Sequence, residues 1–206
     1  RLIVNVQEED SWSAAIRSDN HGSKKTGEFR AFLEGVFLNP SGHGDELKVS
    51  VLTTADPSNT NYGAISYKSI LYSPRLTAEV GVSSNDFVSR DLTDGPSSEI
   101  FFVGDSVVAS AQLKYKLKRS RIKNYSVDFG VRNITTNLKL DGDNGLNDAD
   151  LGDDANIAQI GFNYDILSQK HRQLYQGRVA LTHAKIDEGG SGDDLAASAG
   201  DKDASL

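Results

Sequence analysis

The chain has 206 residues, a formal net charge of −7, and neither cysteine nor methionine. Without cysteine there is no disulfide framework, no thiolate metal site and no cysteine nucleophile. No stretch approaches the roughly 18 consecutive apolar residues of a membrane-spanning helix, and none within this fragment reads as a secretory signal peptide; lacking methionine and beginning at Arg1, the chain is expected to be a processed or truncated piece. A hydrophobic content of 37% and a mean hydropathy of −0.43 suit a soluble protein. They equally suit a β-barrel, in which every second strand residue faces water.

From the amino terminus onward the dominant period is two. Weak alternation over 12–18 gives way to Phe29, Ala31, Leu33, Gly35 and Phe37, then Leu47, Val49 and Val51, and a second weak stretch over 62–71. Leu76, Ala78, Val80 and Val82 follow. Over 107–117 the odd positions Val107, Ala109, Ala111, Leu113, Tyr115 and Leu117 are all apolar, and nearly all the even ones are polar. The pattern returns at Tyr125, Val127, Phe129 and Val131, at Ala158 to Ile166, and at Tyr175 to Leu181. Side chains alternate faces along a strand, so each stretch has one greasy and one wet face. Nine strands after residue 10, with no amphipathic helix between them, predict an all-β fold.

The connectors alternate in length. Segments 39–45, 72–75, 118–123 and 167–172 are short, whereas 84–104, 133–155 and everything after 186 are long and polar. Six aspartates lie in 141–154 and six more acids in 187–203; the rest of the chain holds 17 acids against 21 bases. Acidic loops on a slightly basic body are a loop signature rather than a domain signature. Short turns at one end and long loops at the other suit an antiparallel up-and-down meander, and strands near ten residues suit a tilted bilayer crossing. Tyr72, Tyr115, Tyr125, Tyr164 and Tyr175 lie near short turns, as in an interfacial girdle, with Tyr62 and Tyr67 elsewhere. A soluble sandwich stays open on alternation alone, although its strands are commonly shorter. No fixed repeat supports a solenoid.

A set of motifs near the amino terminus sharpens the choice. Leu2 to Val6 and Gln7-Glu8-Glu9 read as a short strand with an acidic end. Then come Asp19-Asn20-His21-Gly22-Ser23, Thr26-Gly27-Glu28-Phe29-Arg30 and the turn Gly42-His43-Gly44-Asp45. This resembles the junction between the last periplasmic POTRA domain and the barrel of haemolysin secretion/activation proteins, the outer-membrane transporters of two-partner secretion. Lys114 to Arg121 is similar to that family's tyrosine-ending strand and Arg-Ser-Arg turn. The family's Val-Arg-Gly-aromatic loop tip is absent; Val131-Arg132-Asn133 is not that motif.

The resemblance implies a partial transmembrane β-barrel, about nine strands of sixteen, in the outer membrane of a Gram-negative bacterium. Residues 1–9 would be the last POTRA strand, 10–187 the first barrel strands, and 188–206 an acidic, flexible extracellular loop at the truncation. It places 19–25 outside and 39–45 in the periplasm. Asp19, Asn20, Gly22, Thr26, Gly27, Arg30, Gly42, Gly44 and Asp45 carry the family pattern. The implied activity is secretion and activation of a partner, of adhesin or haemolysin type, bearing an amino-terminal secretion domain. The implied surroundings are outer-membrane lipid, no nucleic acid and a monomeric state. Alternatives are an outer-membrane protein assembly factor, a passive porin, or a soluble adhesion module.

No enzyme motif is present, and no cofactor is expected. The four histidines have no ligand spacing. The best calcium candidate, 140–148, fails because Gly145 stands fifth from Asp141 and Gly152 twelfth, breaking both the register and the closing acid. The run Lys114, Lys116, Lys118, Arg119, Arg121 and Lys123 lacks any nucleic-acid motif; it reads as a solvated turn or as a pore mouth engaging an unfolded substrate. Glu34, Lys48, Gln112, Lys114, Lys116, Asp128, Arg132 and Arg178 oppose the apolar phase of their strands and are expected to line a pore. Arg30, Ser50 and Glu79 share that phase.

Overall fold

The computed structural model of the chain describes residues 10–23, 26–55, 60–91, 100–142, 151–168 and 170–190. They form one sheet of nine antiparallel strands in sequence order. The strands are β1 (Trp12–Asp19), β2 (Phe29–Leu38), β3 (Glu46–Ala55), β4 (Thr60–Ile70), β5 (Leu76–Asp91), β6 (Ile100–Lys118), β7 (Lys123–Gly142), β8 (Leu151–Ser168) and β9 (Gln173–Gly190). The described residues contain no helix. The POTRA strand expected over 1–9, most of the acidic stretch 188–206 and most of the calcium candidate lie outside the described residues.

Paired residues share a face, so the register assigns every side chain to one of two surfaces. Ile16, Leu33 and Val51 are joined in one row, as are Val80, Ala111, Val131 and Ala158. Phe129 and Ile160 belong to the same surface, with Phe162 beside Val127 and Val179. Along these rows the surface is apolar and uncovered: among the described residues no hydrophobic side chain is buried. The usual ordering is reversed, since Phe129 is 48% exposed whereas its neighbour Asp128 is 3% exposed. Side chains crowd on the polar face and splay on the apolar one, as in a sheet curved about its polar side. A sandwich would bury its apolar face inside; here that face is convex and only a lipid-like medium matches it.

The strands are staggered. The row starting at Glu46, the first residue of β3, runs through Lys68, Glu79, Gln112, Gly130 and Gln159 to Thr182, deep within β9. If the short turns lie at one level, this slide of about one and a half residues per strand corresponds to a tilt of about 45°, near the barrel range. At that tilt Tyr115, Tyr125, Tyr164 and Tyr175 fall on the apolar face at one level just above the turns. Tyr67 joins them, a correction to its reading as an outlier: its hydroxyl donates to Asp45 Oδ2 at 2.7 Å across the neighbouring hairpin. Tyr164 lies across Gly177, where a Cβ would meet its hydroxyl oxygen at 2.5 Å.

The long connectors were overestimated. β5 continues to Asp91 and β6 begins at Ile100, so most of 84–104 is strand; β7 runs to Gly142 and β8 starts at Leu151, so most of 133–155 is too. β7 alone has 20 residues, far beyond the expected ten. The polarity of the two faces exchanges along these extensions. On β7 the apolar face passes from Phe129 and Val131 to Asn133, Thr135 and Asn137, while the polar face passes from Asp128 and Arg132 to Ile134 and Leu138. On β9, Val179 and Leu181 give way to His183 and Lys185, and Arg178 and Thr182 to Ala184 and Ile186.

Candidate functional site

The polar surface of the lower sheet carries all eight residues expected to line a pore. Glu34 pairs with Ser50, Lys48 with Ser66, Gln112 with Gly130, Lys114 with Asp128, Lys116 with Ser126, Arg132 with Ser110 and Arg178 with Asn163. The register brings them onto one face without exception. Arg30, Ser50 and Glu79 lie there as well.

Its best-organised part spans β7, β8 and β9. The Arg178 guanidinium forks onto Asp128, Nη2 to Oδ2 at 2.7 Å and Nη1 to Oδ1 at 3.2 Å. Nη2 also donates to Gln159 Oε1 at 2.8 Å, and Asn163 Nδ2 donates to Asp128 Oδ1 at 2.6 Å. Gly161 lies between them; a Cβ there would stand 2.7 Å from Arg178 Nη2 and 2.8 Å from Asp128 Oδ2. The missing side chain lets two charged groups close over a third strand. Gln159, Gly161 and Asn163 were not singled out from sequence. Their signal was present, because they interleave with Ala158, Ile160, Phe162 and Tyr164.

Below this network lies the basic end of the face. Lys114, Lys116, Lys118 and Arg119 line an open groove of about 290 Å³, opposite Asn163 and Asp165. A bulge between Lys116 and Lys118 lets β6 turn into its hairpin. Ser120 holds that turn, its hydroxyl donating to the Lys123 carbonyl at 2.9 Å. Four cations against Asp165 leave this end of the surface positive. Among the described residues no group of three or more acidic or histidine side chains could hold a metal ion.

The motif residues build two connectors. Asp19 pairs with Arg30 in register, accepting from its Nε at 2.7 Å and from the His21 amide at 3.1 Å. Asn20 follows in the bend. Gly22 donates to the Glu28 carbonyl at 3.0 Å, and a Cβ on Gly22 would stand 1.9 Å from the Gly27 oxygen. Gly27, at φ 113°, donates to the Ser23 carbonyl. The Thr26 carbonyl accepts from the Thr54 and Thr60 hydroxyls at 3.1 and 3.0 Å, which docks the loop onto β3 and β4.

In the second connector, Asn39, Gly42 and Gly44 take positive φ values of 58°, 81° and 72°. That left-handed backbone favours glycine. Asp45, 3% exposed, accepts from the Ser41 amide and from Tyr67. Burial within its own turn pushes its carboxyl up, but hydrogen bonds from Tyr67 and Ser41 prevail and draw it down to about 2.

Sheet and site together define one wall of an outer-membrane β-barrel with one polar, charged face. The sequence profile of the family described as "Haemolysin secretion/activation protein ShlB/FhaC/HecB" matches residues 1–182. The chain belongs to that family of two-partner secretion transporters, β-barrels of the Gram-negative outer membrane. It is 31% identical over 86 residues to the heme/hemopexin transporter protein HuxB of Haemophilus influenzae (strain 86-028NP), covering 41% of this chain and 14% of that protein. CdiB from Escherichia coli superposes with a TM-score of 0.61 at 17% identity, over 88% of this chain and 38% of that one. CdiB from Acinetobacter baumannii gives 0.55 at 11% identity, over 87% and 38%. The chain thus spans well under half the length of these relatives. The family is one of secretion proteins rather than enzymes.

Proposed function

We propose that this chain forms the amino-terminal half of the barrel wall of a transporter that exports and activates a partner protein of adhesin or haemolysin type. The carrying observation is the continuous polar face, from the basic groove through the Asp128–Arg178 network, backed by an uncovered apolar face. A hydrated wall with fixed charges of both signs suits passage of an unfolded chain, because its groups satisfy a moving backbone without holding it. Glu34, Lys48, Gln112, Lys114, Lys116, Asp128, Arg132 and Arg178 are the lining residues, and the basic hairpin is the periplasmic entrance. In this reading residues 1–9 end a POTRA domain that receives the partner's amino-terminal secretion domain, 10–187 are barrel, and 188–206 are external.

The test is export. With the full-length transporter and its candidate partner expressed together, the partner is expected in the medium and absent when the transporter gene is deleted. A partner still exported without the transporter would overturn the proposal. Outer-membrane proteins failing to fold in that deletion, with partner export unchanged, would favour the assembly-factor reading.

A further inference from the structure

The bulge between Lys116 and Lys118 does more than turn the hairpin that joins β6 to β7. Up to Lys116 the pairing runs in phase, and Lys114 and Lys116 stand opposite Asp128 and Ser126 on the polar face. Past the bulge Lys118 pairs with Tyr125, so the extra residue carries this lysine onto the apolar face. Lys123 pairs with Ile166, and Ile166 with Tyr175, which places it on that face too. The two lysines therefore flank Tyr125, one across the ladder and the other two residues along its own strand.

Their surroundings are apolar and aromatic. The two register rows that hold them continue through Tyr125, Tyr164 and Gly177 and through Ile166 and Tyr175, with no acid in either. Both lysines are exposed, and among the described residues neither ammonium group has an ion-pair partner. This end of the sheet is positive beyond them as well. Connectors 71–75, 119–122 and 169–172 contain Arg75, Arg119, Arg121, Lys170 and Arg172 and neither aspartate nor glutamate.

A lysine on the lipid side of a barrel is costly at mid-bilayer and nearly neutral at the boundary. There its stem lies along hydrocarbon while its ammonium reaches the headgroups. The short turns of outer-membrane barrels lie in the periplasm, so the headgroups at this level are those of the periplasmic leaflet. We propose that Lys118 and Lys123 bind the phosphate of an anionic phospholipid in that leaflet, its acyl chains lying over the apolar rows above Tyr125. Charge complementarity and continuity with the lipid-covered face select this occupant. A free phosphate ion would gain nothing from the apolar rows. The inference needs the barrel's place in the membrane and is independent of which partner is exported. A lipid held there fixes the height of the basic turns against the bilayer surface.

The test uses the full-length transporter in phosphatidylcholine vesicles. These carry a trace of a photoactivatable phosphatidylglycerol or of the matching phosphatidylcholine. Labelling within 113–127 and 160–177 is read by mass spectrometry on the folded form only, recognised by its resistance to unfolding in detergent. Phosphatidylglycerol is expected to label these segments on the order of twentyfold more strongly, about fivefold from each lysine. Lys118→Gln and Lys123→Gln should each lower that ratio about fivefold, whereas Lys116→Gln, on the opposite face, should leave it in place. Equal labelling by the two probes would overturn the inference, as would a ratio unchanged in both lysine variants. A photoreactive side chain at Ile166 that captures a protein in cells, in place of lipid, would also overturn it.

Discussion

Asp128 on β7 and Arg178 on β9 are bonded to each other across an entire intervening strand, through the space left by Gly161. The carboxylate is almost fully covered while the guanidinium stays open on the polar face, so the two partners are not equivalent. Removing the arginine strands a covered charge; removing the aspartate releases a solvated one.

Arg178→Gln is therefore expected to destabilise the folded full-length barrel by about 1–3 kcal/mol, short of a fully buried pair because one partner is exposed. Arg178→Lys keeps a charge but loses the fork and should fall between. Urea unfolding in vesicles measures both. If Arg178→Gln unfolds at the wild-type midpoint, the pair contributes nothing.

Asp45 gives a signature in acid. Its folded carboxyl lies near 2 against an ordinary 3.8, so the stability it contributes is present above about pH 4 and is lost as the pH falls toward about 2. Asp45→Asn should remove that part of the acid dependence, and Tyr67→Phe should reduce it. Acid titration of the folded barrel, followed by tryptophan fluorescence or circular dichroism, distinguishes the three curves.

The uncovered apolar face has a depth profile. Arginine at Phe129, mid-band on the convex side, is expected to cost about 2–4 kcal/mol, whereas arginine at Asn156, above the exchange of polarity, costs about 0–1. Folding titrations into vesicles compare them directly. Equal costs would contradict the placement of the upper boundary.

Gly22 is fixed by backbone rather than by a movable side chain, since a Cβ would collide with the Gly27 carbonyl oxygen. Gly22→Ala is expected to cost about 1–3 kcal/mol and to open the contact of Thr26 with Thr54 and Thr60. Faster proteolysis between residues 20 and 28 in the folded barrel would report it.

The period-two pattern made the strand count, the apolar face and the polar lining legible, because lipid on one side and water on the other force one phase on each strand. It hid the strand lengths for the same reason. Apolar residues on β7 occupy odd positions through Val131 and even ones at Ile134 and Leu138, and such a slip reads as a loop when the strand continues unbroken. The clasp of Asp45 by Tyr67 was hidden differently: it joins neighbouring hairpins, and nothing local to either marks the other. Gly161 was readable as an inward position, but its role depends on groups 33 residues before it and 17 after it in the chain.

The stagger from Glu46 to Thr182 also fixes how the wall answers a mechanical load. At about 45°, a pull along the channel axis resolves almost equally along the strands and across them. The component along the strands acts as sliding between neighbours, shared over many ladder bonds at once, and the equal transverse component pulls across them. An axial load on such a sheet is therefore spread over its ladders and does not fall on one pair of strands.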